Sequence, residues 1–133
     1  MYLDASAITK LVVREQESVD LQARVQGRLL ATSRVSVVEV GKAVARVDPA
    51  ADVGGVLALF AFVDLDSDLA SLAARTGPAS LRALDAIHVA AALRLGPEVD
   101  AFVTYDMRQA EVAAAAGLRV VAPGRDGLDA HST

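Results

Sequence analysis

Short, almost wholly apolar runs alternate with segments of helical spacing along this 133-residue chain, and that alternation constrains the fold more than any other feature. A strand with no polar face must be covered on both sides, as in a parallel sheet flanked by helices. Residues 2–4, 29–32, 62–65, 101–104 and 118–121 read as such strands. Helical spacing predicts helices over 7–14 behind a Ser6 cap, 19–25 ending near Gly27, and from Ser33 or Ser36 to about Val47. Further helices are expected over 50–61 behind Pro49, from Ser67 to just before Gly77 and Pro78, over 81–95 closed by Gly96, and over 107–116 ended by Gly117. The expected class is α/β: a three-layer α/β/α domain with a central parallel sheet and right-handed crossovers.

The length suits one core and leaves little room for a second. A single domain over residues 1–123 is expected, with the polar, Gly-containing segment 124–133 as a loose tail. Hydrophobic residues make up 53% of the chain but aromatic ones only 4%, so Ala, Val and Leu must supply most of the core. The longest apolar stretches fall short of the roughly 20 residues of a membrane span, and no signal peptide precedes the first strand. The sequence reads as cytoplasmic.

The chain has no Cys and only two His, His88 and His131, which excludes thiolate metal sites and cysteine nucleophiles. Any metal must be held mainly by oxygen. A net charge of −4 argues against gripping nucleic acid by charge alone, so such a role needs metal ions or a local basic patch.

Four acids stand in places where an acid needs a reason. Ligands of parallel α/β sheets bind beyond the carboxyl ends of the strands, and Asp4 ends the first strand while Asp106 follows the fourth. Glu39 and Asp85 each interrupt a strongly apolar helical stretch, where a charge is costly unless paired or metal-bound. Each has a plainer role open to it. Asp4 and Asp106 suit helix starts; Glu39 can pair with Lys42 or Lys10, and Asp85 with Arg82 or His88. Together they would make an all-oxygen site for a hard cation such as Mg²⁺ or Mn²⁺, suited to phosphodiester hydrolysis by metal-activated water. His88 reads as a packed helix residue and His131 as incidental.

Four stretches carry a resemblance: Tyr2-Leu3-Asp4-Ala5-Ser6-Ala7, Ser33 to Glu39 with its acid four residues before Ala43, Leu84-Asp85-Ala86-Ile87-His88-Val89-Ala90, and Val103-Thr104-Tyr105-Asp106. In this order and at these separations the chain resembles PIN domains, and within them the VapC toxins of bacterial toxin-antitoxin pairs. The resemblance implies a Mg²⁺- or Mn²⁺-dependent endoribonuclease with Asp4, Glu39, Asp85 and Asp106 on the family's acidic positions. Ser6 and Thr104 fall on its small hydroxyl positions beside them. It also implies an RNA substrate, a cognate VapB-like antitoxin, and a homodimer or toxin-antitoxin hetero-oligomer. Lys10, Arg14, Arg24, Arg28, Arg75, Arg82 and Arg108 are the expected RNA contacts if they rim the site. The run Val56 to Val63, with Phe60 and Phe62, is a candidate dimer or antitoxin surface, although core burial suits most of it better.

Other readings fit less well. A receiver-like signalling domain would show adjacent acids after the first strand and a Lys ending the last one, and a haloacid-dehalogenase-type phosphatase a second Asp where Ser6 stands. A non-catalytic PIN-fold module that binds RNA or protein is the remaining alternative.

Overall fold

The computed structural model describes residues 1–125. Five strands, β1 (Tyr2–Leu3), β2 (Leu30–Ser33), β3 (Phe60–Val63), β4 (Phe102–Val103) and β5 (Val120–Val121), form one sheet in the order β3-β2-β1-β4-β5. Every pairing is parallel, with Tyr2 opposite both Ala31 and Phe102. A receiver-like sheet runs 2-1-3-4-5, so the topology removes that alternative.

The helices are α1 (Ala5–Val12), α2 (Ser18–Val25), α3 (Val35–Ala45), α4 (Val53–Leu57), α5 (Ser67–Ala74), α6 (Ala83–Leu95) and α7 (Met107–Ala115). The chain steps one way across the sheet from β1 to β3 and the other way from β3 to β5. Right-handed crossovers therefore place α1 to α4 on one face and α5 to α7 on the other. Packing agrees: α1 lies against α2, α3 and α4, and α6 against α5 and α7. The step reverses between β1 and β4, and at such a switch point the loops part to leave a crevice at the carboxyl edge. Tyr2, Leu3, Phe102 and Val103 beneath it are fully buried, and the Tyr2 and Phe102 rings stack at 5.3 Å. The strands carrying the crevice thus lie wholly within the core. Among the described residues no helix is long and apolar enough to cross a membrane.

The main departure from the sequence reading lies between Pro49 and Leu65. In place of a helix over 50–61 there is one short turn, α4, capped by the Asp52 side chain on the Gly55 amide at 2.9 Å. Gly54 and Gly55 are poor helix formers, and pairing of Phe60–Val63 with Leu30–Ser33 claims the residues beyond. The strand accordingly begins two residues earlier than its apolar pattern suggested. Leu57, Phe60 and Val63 enter the core while Leu59 is exposed. At the other end of the chain Pro123 is buried, and Arg125, inside the segment expected to be loose, donates to the Tyr105 carbonyl at 2.8 Å. Residues 126–133, with His131, lie outside the described residues.

Candidate active site

The β1–α1 junction shows how the first acid is held. Asp4, not Ser6, caps α1, accepting from the Ala7 amide at 3.0 Å through Oδ1. Ser6 Oγ donates to the same oxygen at 2.7 Å, and Thr104 Oγ1, reaching over from the end of β4, donates to Oδ2 at 2.6 Å. Asp4 is buried, and burial raises its pKa, opposed by these three donors. Both hydroxyls serve twice. Ser6 Oγ accepts from the Tyr105 amide at 3.0 Å and Thr104 Oγ1 from the Asp106 amide at 3.1 Å. Two side chains thereby stitch the β1–α1 turn to the β4–α7 turn across the crevice.

Asp106 caps α7, with Oδ1 on the Arg108 amide at 2.9 Å and the Gln109 amide at 3.4 Å. Among the described residues nothing donates to its Oδ2. Asp and Gln three apart spell a capping box, but Gln109 does something else. It is buried, and its Nε2 donates to the Asp85 carbonyl in the first turn of α6 at 3.2 Å. The capping signal was legible in the sequence, and the tie it makes to α6 was not.

Asp85 is half-buried, and its pKa is raised by burial first and then by the charges of Asp106 and Asp4. Carboxylates from two other chain segments therefore bear on Asp85 at one edge of the sheet. Arg82, one turn earlier, works in the opposite direction. Glu39 enters from α3. It pairs with neither Lys42 nor Lys10; its Oε1 lies 2.7 Å from His88 Nε2, while His88 Nδ1 lies 2.7 Å from the Tyr2 hydroxyl. Nothing in the sequence links Glu39 and His88, 49 positions apart, or marks Tyr2 as more than a strand residue.

Of the expected RNA contacts, Lys10 is withdrawn. It is buried, with Nζ 2.8 Å from Glu15 and 3.0 Å from Glu17, and lies 5.0 Å from the centre of the Tyr105 ring. Arg125 completes that cluster, 2.7 Å from Glu17 and also over the Tyr105 ring. These cations hold Glu17 ionised, pulling its pKa from 4.5 to about 2. The cluster clamps Tyr105 from behind, between Thr104 and Asp106. Arg28 is withdrawn too, since it pairs with Asp100 just before β4, at the opposite edge of the sheet. Arg82 and Arg108 remain beside the acids.

The donor set suits a hard divalent cation: all oxygen, anionic, and self-repelling in a way that a bound cation relieves. Among the described residues no three His, Asp or Glu side chains are gathered closely enough to clamp an ion unaided.

Comparison with known proteins accords with this arrangement. The PIN domain family model matches residues 1–115. Ribonuclease VapC47 of Mycobacterium tuberculosis (strain CDC 1551 / Oshkosh) is 37% identical over 132 residues, covering 93% of this chain and 97% of its own. Ribonuclease VapC46 of Mycobacterium tuberculosis (strain ATCC 25618 / H37Rv) is 40% identical over 127 residues, covering 92% and 97%. Ribonuclease VapC35 of the same strain is 39% identical over 132 residues, covering 94% and 98%. The family model covers most of the chain and each relative more than nine-tenths of it, and the chain belongs to the PIN domain family, alongside its VapC ribonucleases.

Proposed function

We propose that this protein is a divalent-metal-dependent endoribonuclease and the toxin of a VapBC-type pair, restrained by a VapB-like antitoxin and inhibiting translation or growth when released. The observation that carries this reading is the convergence of the Asp106 and Asp4 charges on Asp85 at the switch point of a parallel sheet. A fold maintains such repulsion at a cost to stability, and a cation that must face a polyanionic substrate supplies a reason for it.

In this reading Asp4, Asp85 and Asp106 hold Mg²⁺, or Mn²⁺ in its place, directly or through water. Glu39 binds the ion or orients the attacking water. A bound divalent ion activates water and neutralises charge on the scissile phosphate. Thr104 and Ser6 keep both oxygens of Asp4 oriented and oppose the rise that burial imposes on its pKa. Gln109 fixes the first turn of α6 against α7 and so sets the spacing of Asp85 and Asp106. Arg82 and Arg108 flank the acids, where cations assist the approach of RNA to a chain of net charge −4.

The test is cleavage of total RNA by purified protein with Mg²⁺ or Mn²⁺ against EDTA, beside Asp106→Asn. Asn is as good a helix cap as Asp, so the variant keeps α7 while losing the charge. Discrete metal-dependent fragments, absent from the variant, are expected. Metal-independent cleavage, or a variant as active as the parent, would refute the assignment. A folded protein that binds RNA without cutting it under either metal would point to a non-catalytic module.

A further inference from the structure

The mechanism above gives His88 no task, yet it is one of the most deliberately held side chains in the molecule. It is 1% exposed, one helical turn after Asp85 on α6, and both ring nitrogens are engaged at 2.7 Å. The partners come from separate elements: Tyr2 from β1 and Glu39 from α3. Tyr2 is itself immobile, stacked on Phe102 with the rings 6° from parallel and meeting the His88 ring edge-on at 5.8 Å.

We propose that His88 is the positioning residue for Glu39, and that Tyr2 acts through it by fixing which ring nitrogen carries the hydrogen. A carboxylate offers only lone pairs, so the 2.7 Å contact to Glu39 requires the hydrogen on Nε2. In the neutral ring Nδ1 is then bare and accepts from the Tyr2 hydroxyl 2.7 Å away. The chain reads Tyr2 O–H to Nδ1, then Nε2–H to Glu39 Oε1. Hydrogen on Nδ1 instead would set an N–H against the hydroxyl and a lone pair against the carboxylate. Glu39 is partly exposed at the crevice and hangs from a long, flexible stem. The imidazole restricts that stem and leaves Oε2 pointing at neither Tyr2 nor His88. Carboxylates that hold a metal are themselves hydrogen-bonded by outer groups, and removing such support costs roughly 10- to 100-fold in metal affinity or activity.

The inference rests on the reading of Glu39 as part of the metal-binding site. The first experiment is long-range ¹H–¹⁵N NMR of the His88 ring in the metal-free protein: hydrogen on Nε2 with Nδ1 bare is expected, and a mixture of tautomers in Tyr2→Phe. Hydrogen on Nδ1, or Tyr2→Phe spectra identical to the parent's, would overturn the role given to Tyr2. The second compares His88→Leu with His88→Gln, whose amide nitrogen substitutes for Nε2. Titration with Mn²⁺ alone and steady-state kinetics are expected to show weaker metal binding and kcat down by about 10- to 100-fold in His88→Leu, KM changing little, with partial rescue in His88→Gln. Should the Leu variant not fold, the Gln variant must still fall between parent and Glu39→Gln in Mn²⁺ affinity. Parental Mn²⁺ affinity and kcat in folded His88→Leu would refute the proposal. If the parent cuts no RNA while the tautomer and Mn²⁺ affinity respond as described, the nuclease reading fails and the positioning of Glu39 stands.

Discussion

Replacing Glu17 by Gln removes the anion at the centre of the Lys10–Glu17–Arg125 cluster and makes a prediction whose size follows from the structure. Glu17 is held at about 2 against an ordinary 4.5, a difference of roughly 3 kcal/mol between its charged and neutral forms. Water reaches the cluster through Glu15 and Arg125, whose side chains are 43% and 37% exposed, and screening reduces the net contribution to about 1–2 kcal/mol. A depressed carboxyl stabilises the fold above its unfolded pKa and loses that stabilisation as pH falls through its folded value. The full difference between parent and Glu17→Gln is therefore expected above about pH 5.5. It should narrow by more than half by about pH 3 and close near pH 2, as the folded-state carboxyl itself becomes protonated. Urea unfolding followed by circular dichroism at a series of pH values measures this directly. A difference that stays constant across the acid range would show that Glu17 contributes through packing alone. No difference at neutral pH would mean that Lys10 and Arg125 are equally content with Glu15 and water.

Asp85→Asn should behave in the opposite sense. A carboxyl raised by burial and by its acidic neighbours destabilises the fold when ionised. The variant is therefore expected to unfold at higher urea than the parent at neutral pH. Its advantage should shrink as pH falls through the folded-state pKa, while cleavage drops by more than about 100-fold. A variant both less stable and fully active would contradict the account of the site. Gly77→Ala tests the loop before α6. Gly77 has φ +73°, and an added Cβ would lie 2.8 Å from Leu81 Cδ2 and 3.0 Å from Val112 Cγ1. A loss of about 1–2 kcal/mol is expected from the backbone alone, read as a lower melting temperature; an unchanged one would show that the loop adopts another conformation.

What the sequence made legible, and what it hid, divide along the range of the interactions. The alternation of apolar runs and capped helices is local, and it located five parallel strands to within two residues. Asp4 and Asp106 were visible as acids at strand ends because that placement, too, is a matter of immediate neighbours. The helix expected over 50–61 failed where a long-range pairing, β2 with β3, outweighed local spacing. The ties that join the separate segments of the site are long-range: Thr104 to Asp4, Gln109 to Asp85, His88 to Glu39. Lys10 was read as a surface cation because an amphipathic helix gives no sign that two acids from the next loop, and an Arg 115 positions on, will enclose it.

The plainer roles considered for Asp4 and Asp106, as helix caps, are both present and need not compete with the metal-binding roles proposed for them. Each caps its helix with one oxygen, and the cap is what fixes the other oxygen's direction. A carboxylate aimed by a helix start needs no rotamer search to meet a ligand, so the ordering entropy is met by folding rather than by binding. Four acids that faced one another freely would swing apart to relieve their repulsion. Held by α1, α7, the first turn of α6 and the His88 ring, they are prevented from doing so, and in the function proposed above the pressure of Asp106 and Asp4 on Asp85 remains available to favour a cation. That division of labour separates the residues by the kind of damage each should cause. Loss of a cap or tie, as at Thr104 or Gln109, should weaken fold and function together, whereas loss of a charge, as at Asp85, should strengthen the first while abolishing the second.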